Sequence, residues 1–479
     1  MSAGVTALLK TFSIATLLAA STLLSSATLA RAETLADALA KAYQNSQNLN
    51  ATRAQLRATD ENVTQARAGL RPTVNATGTA SAARSYTNYG GGIADARSAT
   101  NSIGVGIQIN QTIFDGFQTT NNVEAAKAQV RAAQHNLANT EENTLLNAAT
   151  AYMDVLRDRQ IASLRRQNLG FLNEQVRAAR ARFEVGEGTR TDVAQAQSQQ
   201  ALATALLNSA LAQVASSEAT YFQVIGDAPT NLRPGTVPMK ALPGSIASAY
   251  AIAQREHPAI LANLAAVDAA AFQVKSAEGA LLPSLSLTGQ VQDAYSSDTA
   301  HGGASLPGVT RTTTGNQISA TVGAQLTIPI YQGGRTSSLV RQYKETLGQR
   351  RIEVDSARDQ VRAAVATQWA NLQAARANIT GYQAQVQAAR LALNGVIEER
   401  NVGQRTTLDV LNAQADVISA QILLVGSQRD EVVAAYSLLS AIGRLSAGRL
   451  HLAGKVYNPD DHYIEVQDKW YGLRTPDGR

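Results

Sequence analysis

The sequence predicts an α+β protein made of very long coiled-coil helices and four strands, with the whole plan built twice. Three observations predict it. The turn Val185-Gly186-Glu187-Gly188-Thr189 recurs as Val402-Gly403-Gln404-Arg405-Thr406, followed by Asp192-Val193 and Asp409-Val410 respectively. Apolar residues repeat by sevens through two long segments. Shorter segments just before them alternate by twos. A change of period from 2 to 3.5 is a change from strand to supercoiled helix.

The first 32 residues stand apart. Lys10 precedes an apolar run from Phe12 to Leu24, and Ala30-Arg31-Ala32 has the form of a cleavage site. This is a secretory signal rather than a membrane anchor, so residues 1–32 are expected to be removed outside the inner membrane.

The rest divides into a first repeat (33–226), a linker rich in Pro and Gly (227–245), a second repeat (246–443) and a C-terminal tail (444–479). The linker and the tail are expected at an equatorial level, midway along the helices. At an offset of about 217 positions, Ile113-Phe114-Asp115-Gly116 falls on Ile330-Tyr331-Gln332-Gly333, and Ile225-Gly226 on Ile442-Gly443. Each repeat opens with a helix, Leu35 to Ala68 and Ile246 to Glu278. Each helix stops just before a proline, Pro72 or Pro283, which cannot continue it.

Two strands follow in each repeat, expected over 71–86 and 102–114, then over 283–295 and 317–331. Ile103, Val105, Ile107 and Ile109 alternate with Ser102, Gly104, Gly106 and Gln108. Ile318, Val322, Leu326, Ile328 and Ile330 share a face opposite Gln317, Thr321, Gln325 and Thr327. Loops are expected at Tyr89 to Gly92 and at Ser296 to Gly315, where Gly, Ser and Thr cluster. The long helices come next. Val123, Val130, Leu137 and Ala151 mark one heptad seam, and Val340, Leu347, Val354 and Val361 the other. At 1.5 Å per residue each long helix is about 100 Å, matching two shorter ones laid end to end beside it. The tip turns span 185–190 and 402–406, and each leads into a last helix.

Composition narrows the function. Aromatic residues are 5% of the chain, too few for a large globular core, and there is no cysteine to hold a disulfide or a thiolate metal site. A net charge of +5, thinly spread, does not suit nucleic acid. His135, His257, His301, His451 and His462 lie in dissimilar contexts without metal-ligand spacing. No nucleophile motif accompanies a base. The reading is therefore not an enzyme, with no cofactor and no metal.

Four strands with one apolar face cannot close a membrane barrel, since the smallest have about eight. Open edges are not tolerated in lipid. Either the barrel is shared between chains, or the sheet is soluble and caps a periplasmic coiled-coil rod. An ordinary diffusion porin is disfavoured, because helix greatly outweighs strand.

Taken in order, the duplicated halves, the strand pairs after Pro72 and Pro283 and the two Val-Gly turns resemble the TolC family of outer-membrane efflux proteins. The tail, Tyr457-Asn458-Pro459-Asp460 with Asp468-Lys469-Trp470-Tyr471-Gly472, is similar to tails in that family. The resemblance implies a homotrimer in outer-membrane lipid. Its fold would be a transmembrane β-barrel with four strands per protomer and a long α-helical coiled-coil barrel in the periplasm. It implies a passive exit duct for tripartite drug efflux or type I secretion. The partners would be a periplasmic adaptor (membrane fusion) protein and an inner-membrane RND or ABC transporter.

The turns admit two roles. Gly186 and Gly403 fit left-handed helix C-caps, and Thr189-x-x-Asp192 and Thr406-x-x-Asp409 fit capping boxes. The resemblance adds a gate. Asp409 matches a carboxylate that rings the closed tip, with Asn412 one turn further along where a second aspartate is usual. Arg405 matches a basic latch toward Thr191 and Asp192. Arg400 replaces an expected aromatic, and Glu187 an apolar residue. Val185, Gly186, Glu187, Val402, Gly403 and Gln404 would form the adaptor-docking tips.

Overall fold

The computed structural model describes residues 32–88, 95–302, 308–476 and 478. The expected signal segment up to Arg31 and the glycine loop at 89–92 lie outside the described residues. Helix α1 (Leu35–Asn45) and α2 (Gln47–Ala68) lead into strands β1 (Thr73–Thr87) and β2 (Ala96–Phe114). Helices α3 (Gln118–Glu184) and α4 (Arg190–Ile225) complete the first half. The second half repeats the order with α5 (Ile246–Glu256), α6 (Pro258–Gly279), β3 (Ser284–Gly302), β4 (Thr310–Thr327), α7 (Arg335–Asn401) and α8 (Thr407–Ala441). Helix α9 (Asp460–Val466) lies in the tail. The lengths match pair by pair: α3 and α7 have 67 residues each, and α4 and α8 have 36 and 35.

The opening helix of each half is broken, where the apolar pattern predicts one continuous helix. Ser46 ends α1, and its hydroxyl accepts the Leu49 amide at 3.3 Å to start α2. In the second half Pro258 is the first residue of α6. It has no amide to donate to the preceding turn, so a new helix must begin there.

The four strands form one antiparallel sheet in the order β1-β2-β3-β4. Its register puts Gly78, Val105, Asp293 and Ile318 in one row, and Ala76, Ile107, Val291 and Ala320 in the next. One face thereby collects the apolar side chains, and they are exposed: Val105 is 63% and Val322 81% accessible. The strands also outrun the alternation. β2 begins at Ala96 rather than 102, and β3 and β4 extend through 302 and from 310, into what reads as a loop. Beyond the apolar band both faces are polar, so no alternation remains to mark the strand. At its other end β4 stops at Thr327 instead of 331, because Pro329 has no amide for the ladder. At the foot of the sheet the two halves meet closely. Gly116 has φ +68°, and a Cβ there would come within 2.2 Å of the Gly279 carbonyl oxygen.

Two compact units divide the chain, and neither is a sequence repeat. The first comprises the described part of Met1–Thr52 with Ala138–His257 and Asp359–Tyr457. The second comprises Arg53–Leu137, Pro258–Arg358 and the described part of Asn458–Arg479. Each draws helices from both halves. The heptad seam is buried through Val130, Leu137, Ala151, Val354 and Val361. Ala128, Ala148, Ala357 and Ala375 on the same helices are buried too, and side chains this small permit close helix approach. In the first unit the linker is tied to the start of the chain. Glu33 donates its amide to the Asn231 carbonyl at 2.8 Å, and the buried Tyr152 hydroxyl bonds the carbonyls of Glu33 and Arg233 at 2.9 and 2.6 Å. The tail divides between the units at Tyr457. Up to there it packs in the first unit, where Ala447 donates to Glu141 at 2.7 Å; beyond it, the tail lies along α2.

Glu142 is 3% exposed in α3, and burial pushes its carboxyl up to about 9. The folded chain therefore keeps a proton that the unfolded chain releases near 4.5, so stability falls as pH rises between those values. Glu142→Gln should remove that slope. Thermal unfolding in detergent should show a higher melting temperature than the parent at pH 8 and little difference at pH 4.

Candidate functional site: the two tip turns

The first unit contains both Val-Gly turns, and their helix ends close with the same pair of bonds, to which the first turn adds the Gly188 amide on the Arg182 carbonyl at 3.1 Å. At the end of α3 the Glu187 amide donates to the Arg182 carbonyl at 2.8 Å, and the Gly186 amide to the Phe183 carbonyl at 3.1 Å. At the end of α7 the Gln404 amide donates to Glu399 at 2.8 Å, and the Gly403 amide to Arg400 at 3.0 Å. This is the Schellman pattern, which needs a left-handed residue at its centre. Gly186 and Gly403 supply it with φ of +80° and +81°. Open space surrounds both, so backbone conformation alone demands glycine there.

Each following helix starts with a reciprocal cap. The Asp192 amide donates to Thr189 Oγ1 at 3.1 Å, and the Thr189 amide donates to Asp192 Oδ2 at 3.0 Å. The matching distances at Thr406 and Asp409 are 3.2 and 2.9 Å. Both capping boxes are complete with Asp as the third helical residue. The Thr406 amide and hydroxyl hold the Asp409 carboxyl below its ordinary value of 3.8. The helix N-terminus acts in the same direction.

The hairpins pack through Leu172, Val176, Ala179, Ala196, Ala203 and Leu411. Two polar ties cross this core: Gln414 Nε2 donates to Asn168 Oδ1 at 3.1 Å, and Gln200 Nε2 to Asn173 Oδ1 at 2.8 Å. Arg400 stands where an aromatic was expected and reaches α3 instead, donating to Gln175 Oε1 at 2.9 Å. Burial, with Arg182 nearby, lowers its affinity for the proton.

Arg405 has a partner that the sequence reading did not name. Its Nε donates to Glu399 Oε2 at 2.8 Å, across the base of its own turn. Within the chain its hydrogen bond goes to Glu399, whereas Asp192 is engaged by Thr189 and Thr191 is exposed. The acid–base pair straddling a Val-Gly turn was the available signal for Glu399. Asp416 shares the exposed face of α8 with Asn412. Val410, Leu411, Gln414, Val417 and Ile418 face the core of α8, leaving Asn412 and Asp416 on its exposed side, with Asp409 half-buried on the same flank. Asp416 lies seven residues beyond Asp409, two helical turns on the same stripe.

Val185, Gly186, Glu187, Val402, Gly403 and Gln404 are all exposed at the ends of their hairpins. The histidines are scattered. His257 caps α5, His301 Nδ1 lies 2.6 Å from Thr310 Oγ1, and His462 lies 2.9 Å from Asp60. Burial lowers the affinity of His135 and His257 for protons, with Arg131 adding to the effect at His135.

The family description "Outer membrane efflux protein" matches residues 38–227 and 249–444, one match for each half. The chain is 51% identical over 442 residues to the outer membrane efflux protein BepC of Brucella suis, covering 92% of each. It is 28% identical over 411 residues to the outer membrane protein TolC of Vibrio cholerae, covering 85% of this chain and 90% of that one. Among solved structures, the Campylobacter jejuni CmeC outer membrane channel superposes with a TM-score of 0.71 at 15% identity, over 90% of this chain and 89% of the other.

Thr189→Ala and Thr406→Ala should each remove a cap worth about 1 kcal/mol. Amide hydrogen exchange in the first turn of α4 or α8 should accelerate accordingly, with the α3 and α7 ends unchanged. Acidification through the depressed Asp409 value should weaken the second cap as Thr406→Ala does, and restoring neutral pH should restore it.

Proposed function

The chain belongs to the outer membrane efflux protein family, and from this premise we propose that it works as a passive homotrimeric exit duct, gated at its two tip turns. It is an outer-membrane channel of the TolC type, with a helical tunnel joined to a β-barrel. The observation that supports a closed oligomer is the sheet, and the number three is what the likeness to the TolC family implies. Its apolar face is exposed, and β1 and β4 have no partner on their outer sides among the described residues. Three copies, each setting β4 against the next β1, close a twelve-stranded barrel and leave no edge in lipid. Nothing in such a duct turns over substrate. The energy comes from an inner-membrane RND or ABC transporter, joined through a periplasmic adaptor that meets the exposed tips at Val185 to Glu187 and Val402 to Gln404. Drugs in tripartite efflux and proteins in type I secretion are the cargo classes.

At the tip, the α8 stripe faces the threefold axis. Each protomer contributes Asp409, Asn412 and Asp416, so two carboxylate rings flank a neutral amide ring. Three converging carboxylates repel one another and favour cations. Arg405 divides its interactions between its own Glu399 and the neighbouring hairpin at Thr191 and Asp192. The closed state is held by the intermolecular contact and opens when Arg405 returns to Glu399.

Planar bilayer recordings test both parts. Asp409→Ala should reduce cation selectivity and weaken block by divalent cations, and Asp409→Ala with Asp416→Ala should reduce both further. Currents identical to the parent would remove the stripe from the axis. Arg405→Ser should raise single-channel conductance, and Glu399→Gln should lower the open fraction by freeing Arg405 for the neighbour. An unchanged conductance in Arg405→Ser would end the latch assignment.

A further inference from the structure

The last part of the tail climbs the second unit in a series of single contacts with α2. Asp60 is fully buried and lies 2.9 Å from His462 Nδ1. The Thr64 hydroxyl donates to the Val466 carbonyl at 2.6 Å. Arg67 donates to the Gln467 carbonyl at 3.0 Å and pairs with Asp468. Arg71 donates to the Lys469 carbonyl at 2.7 Å. Asp60, Thr64, Arg67 and Arg71 follow the four- and three-residue spacing of one helix stripe, continued past the end of α2. The strap therefore has a fixed direction and a fixed end.

That end is the foot of the sheet. Arg71 lies two residues before β1, and its guanidinium sits 4.6 Å over the Trp470 ring. Lys469 Nζ then donates to the Arg474 carbonyl at 2.6 Å, closing a short loop. The loop holds out Trp470 and Tyr471, which are 67% and 91% exposed, together with Leu473. Val74, the first apolar residue on the exposed face of β1, begins three residues beyond Arg71, and Leu70 and Ile113 are exposed nearby. The loop thus lies at the helix-side end of β1, where basic groups and exposed amphipathic rings stand next in the chain to the strand's aliphatic band.

We propose that the loop 469–474 is a membrane-interface anchor, seating Trp470 and Tyr471 in the headgroup layer of the periplasm-facing leaflet. Tryptophan and tyrosine suit that layer because one edge of the ring is apolar and the other forms hydrogen bonds. The cations of Arg71 and Lys469 match anionic lipid phosphates at the same level. The inference rests on the reading that the apolar face of the sheet meets lipid. It gives the strap along α2 a purpose: it carries a lipid-binding loop to the correct height.

Trp369 and Trp470 are the two tryptophans in the chain. Trp369→Phe in the full-length protein leaves Trp470 as the sole reporter. It is placed in vesicles of phosphatidylethanolamine and phosphatidylglycerol, with the lipid brominated near the head of its acyl chains. Brominated lipid should quench the emission strongly, as expected for an indole at the interface, while aqueous iodide quenches it less than it quenches free tryptophan. Iodide quenching without lipid quenching would place the loop in water and overturn the anchor. Silence toward both quenchers would place it against protein, such as a second copy of the chain, and overturn it equally. A companion reporter, Ile107→Trp with Trp369→Phe and Trp470→Phe, separates the two readings. Lipid quenching at 107 with none at 470 overturns the anchor alone, and silence at both overturns the lipid-facing sheet together with it.

Discussion

A backbone amide or carbonyl without a partner costs several kcal/mol in hydrocarbon, and this governs the architecture. The chain presents four strands with an apolar face and two outer edges. In water such edges would be a hazard for aggregation; in lipid they are not permitted. Closure has to come from further copies of the same chain, so the oligomer follows from the sheet. Once a barrel is closed from several chains, the helices that continue from its strands must also stand in a ring. Their burial within one protomer is consequently incomplete. Much of α4 and α7 remains accessible in the single chain, although the seam between helices is closed.

Ring packing also explains the unusual composition. Helices that neighbour others on two sides need small residues on more than one face. Alanine meets this need and keeps helix propensity high. Helix α8 shows how misleading the result can be. By length and composition it is apolar enough to cross a bilayer. Yet it starts at a capped polar turn, and its buried positions recur with the spacing of helix-on-helix contact. Its apolarity serves packing along the tunnel.

The duplication, the strand pairs and the turn chemistry were legible because each rests on a local pattern. Glycine at 186 and 403 and the Thr–Asp pairs follow from backbone geometry, and local geometry is written in adjacent residues. Strand ends were less legible. Ala96 to Asn101 pair on both sides, but small and polar side chains on both faces leave no pattern. The break at Ser46 was hidden for a related reason, since its apolar period continues across the interruption. Glu399 as the partner of Arg405, and Gln175 as the partner of Arg400, were missed because partners were inferred from resemblance rather than from what lies within reach. The tail's passage from one unit to the other depends on contacts roughly 400 positions apart in sequence, such as Thr64 with Val466. No local pattern encodes them.

The central ladder of the sheet joins β2 to β3, and these strands belong to different halves of the chain. Between them lie about 170 residues, including one complete hairpin of long helices. Loop closure on that scale is entropically slow, and sheets dominated by distant pairings fold late. The α3–α4 hairpin can start from contacts within the first half, such as Gln200 with Asn173, before its partners in the second half exist. β1 and β2 must meanwhile wait, paired with each other but apolar on one side, until the second half arrives. The order of events is thus built into the connectivity: helices first, then the joining of the halves, then the barrel. For that interval the apolar hairpin is a passenger in the aqueous periplasm, and the lifetime of this unfinished state sets how much assistance the chain needs to reach its membrane.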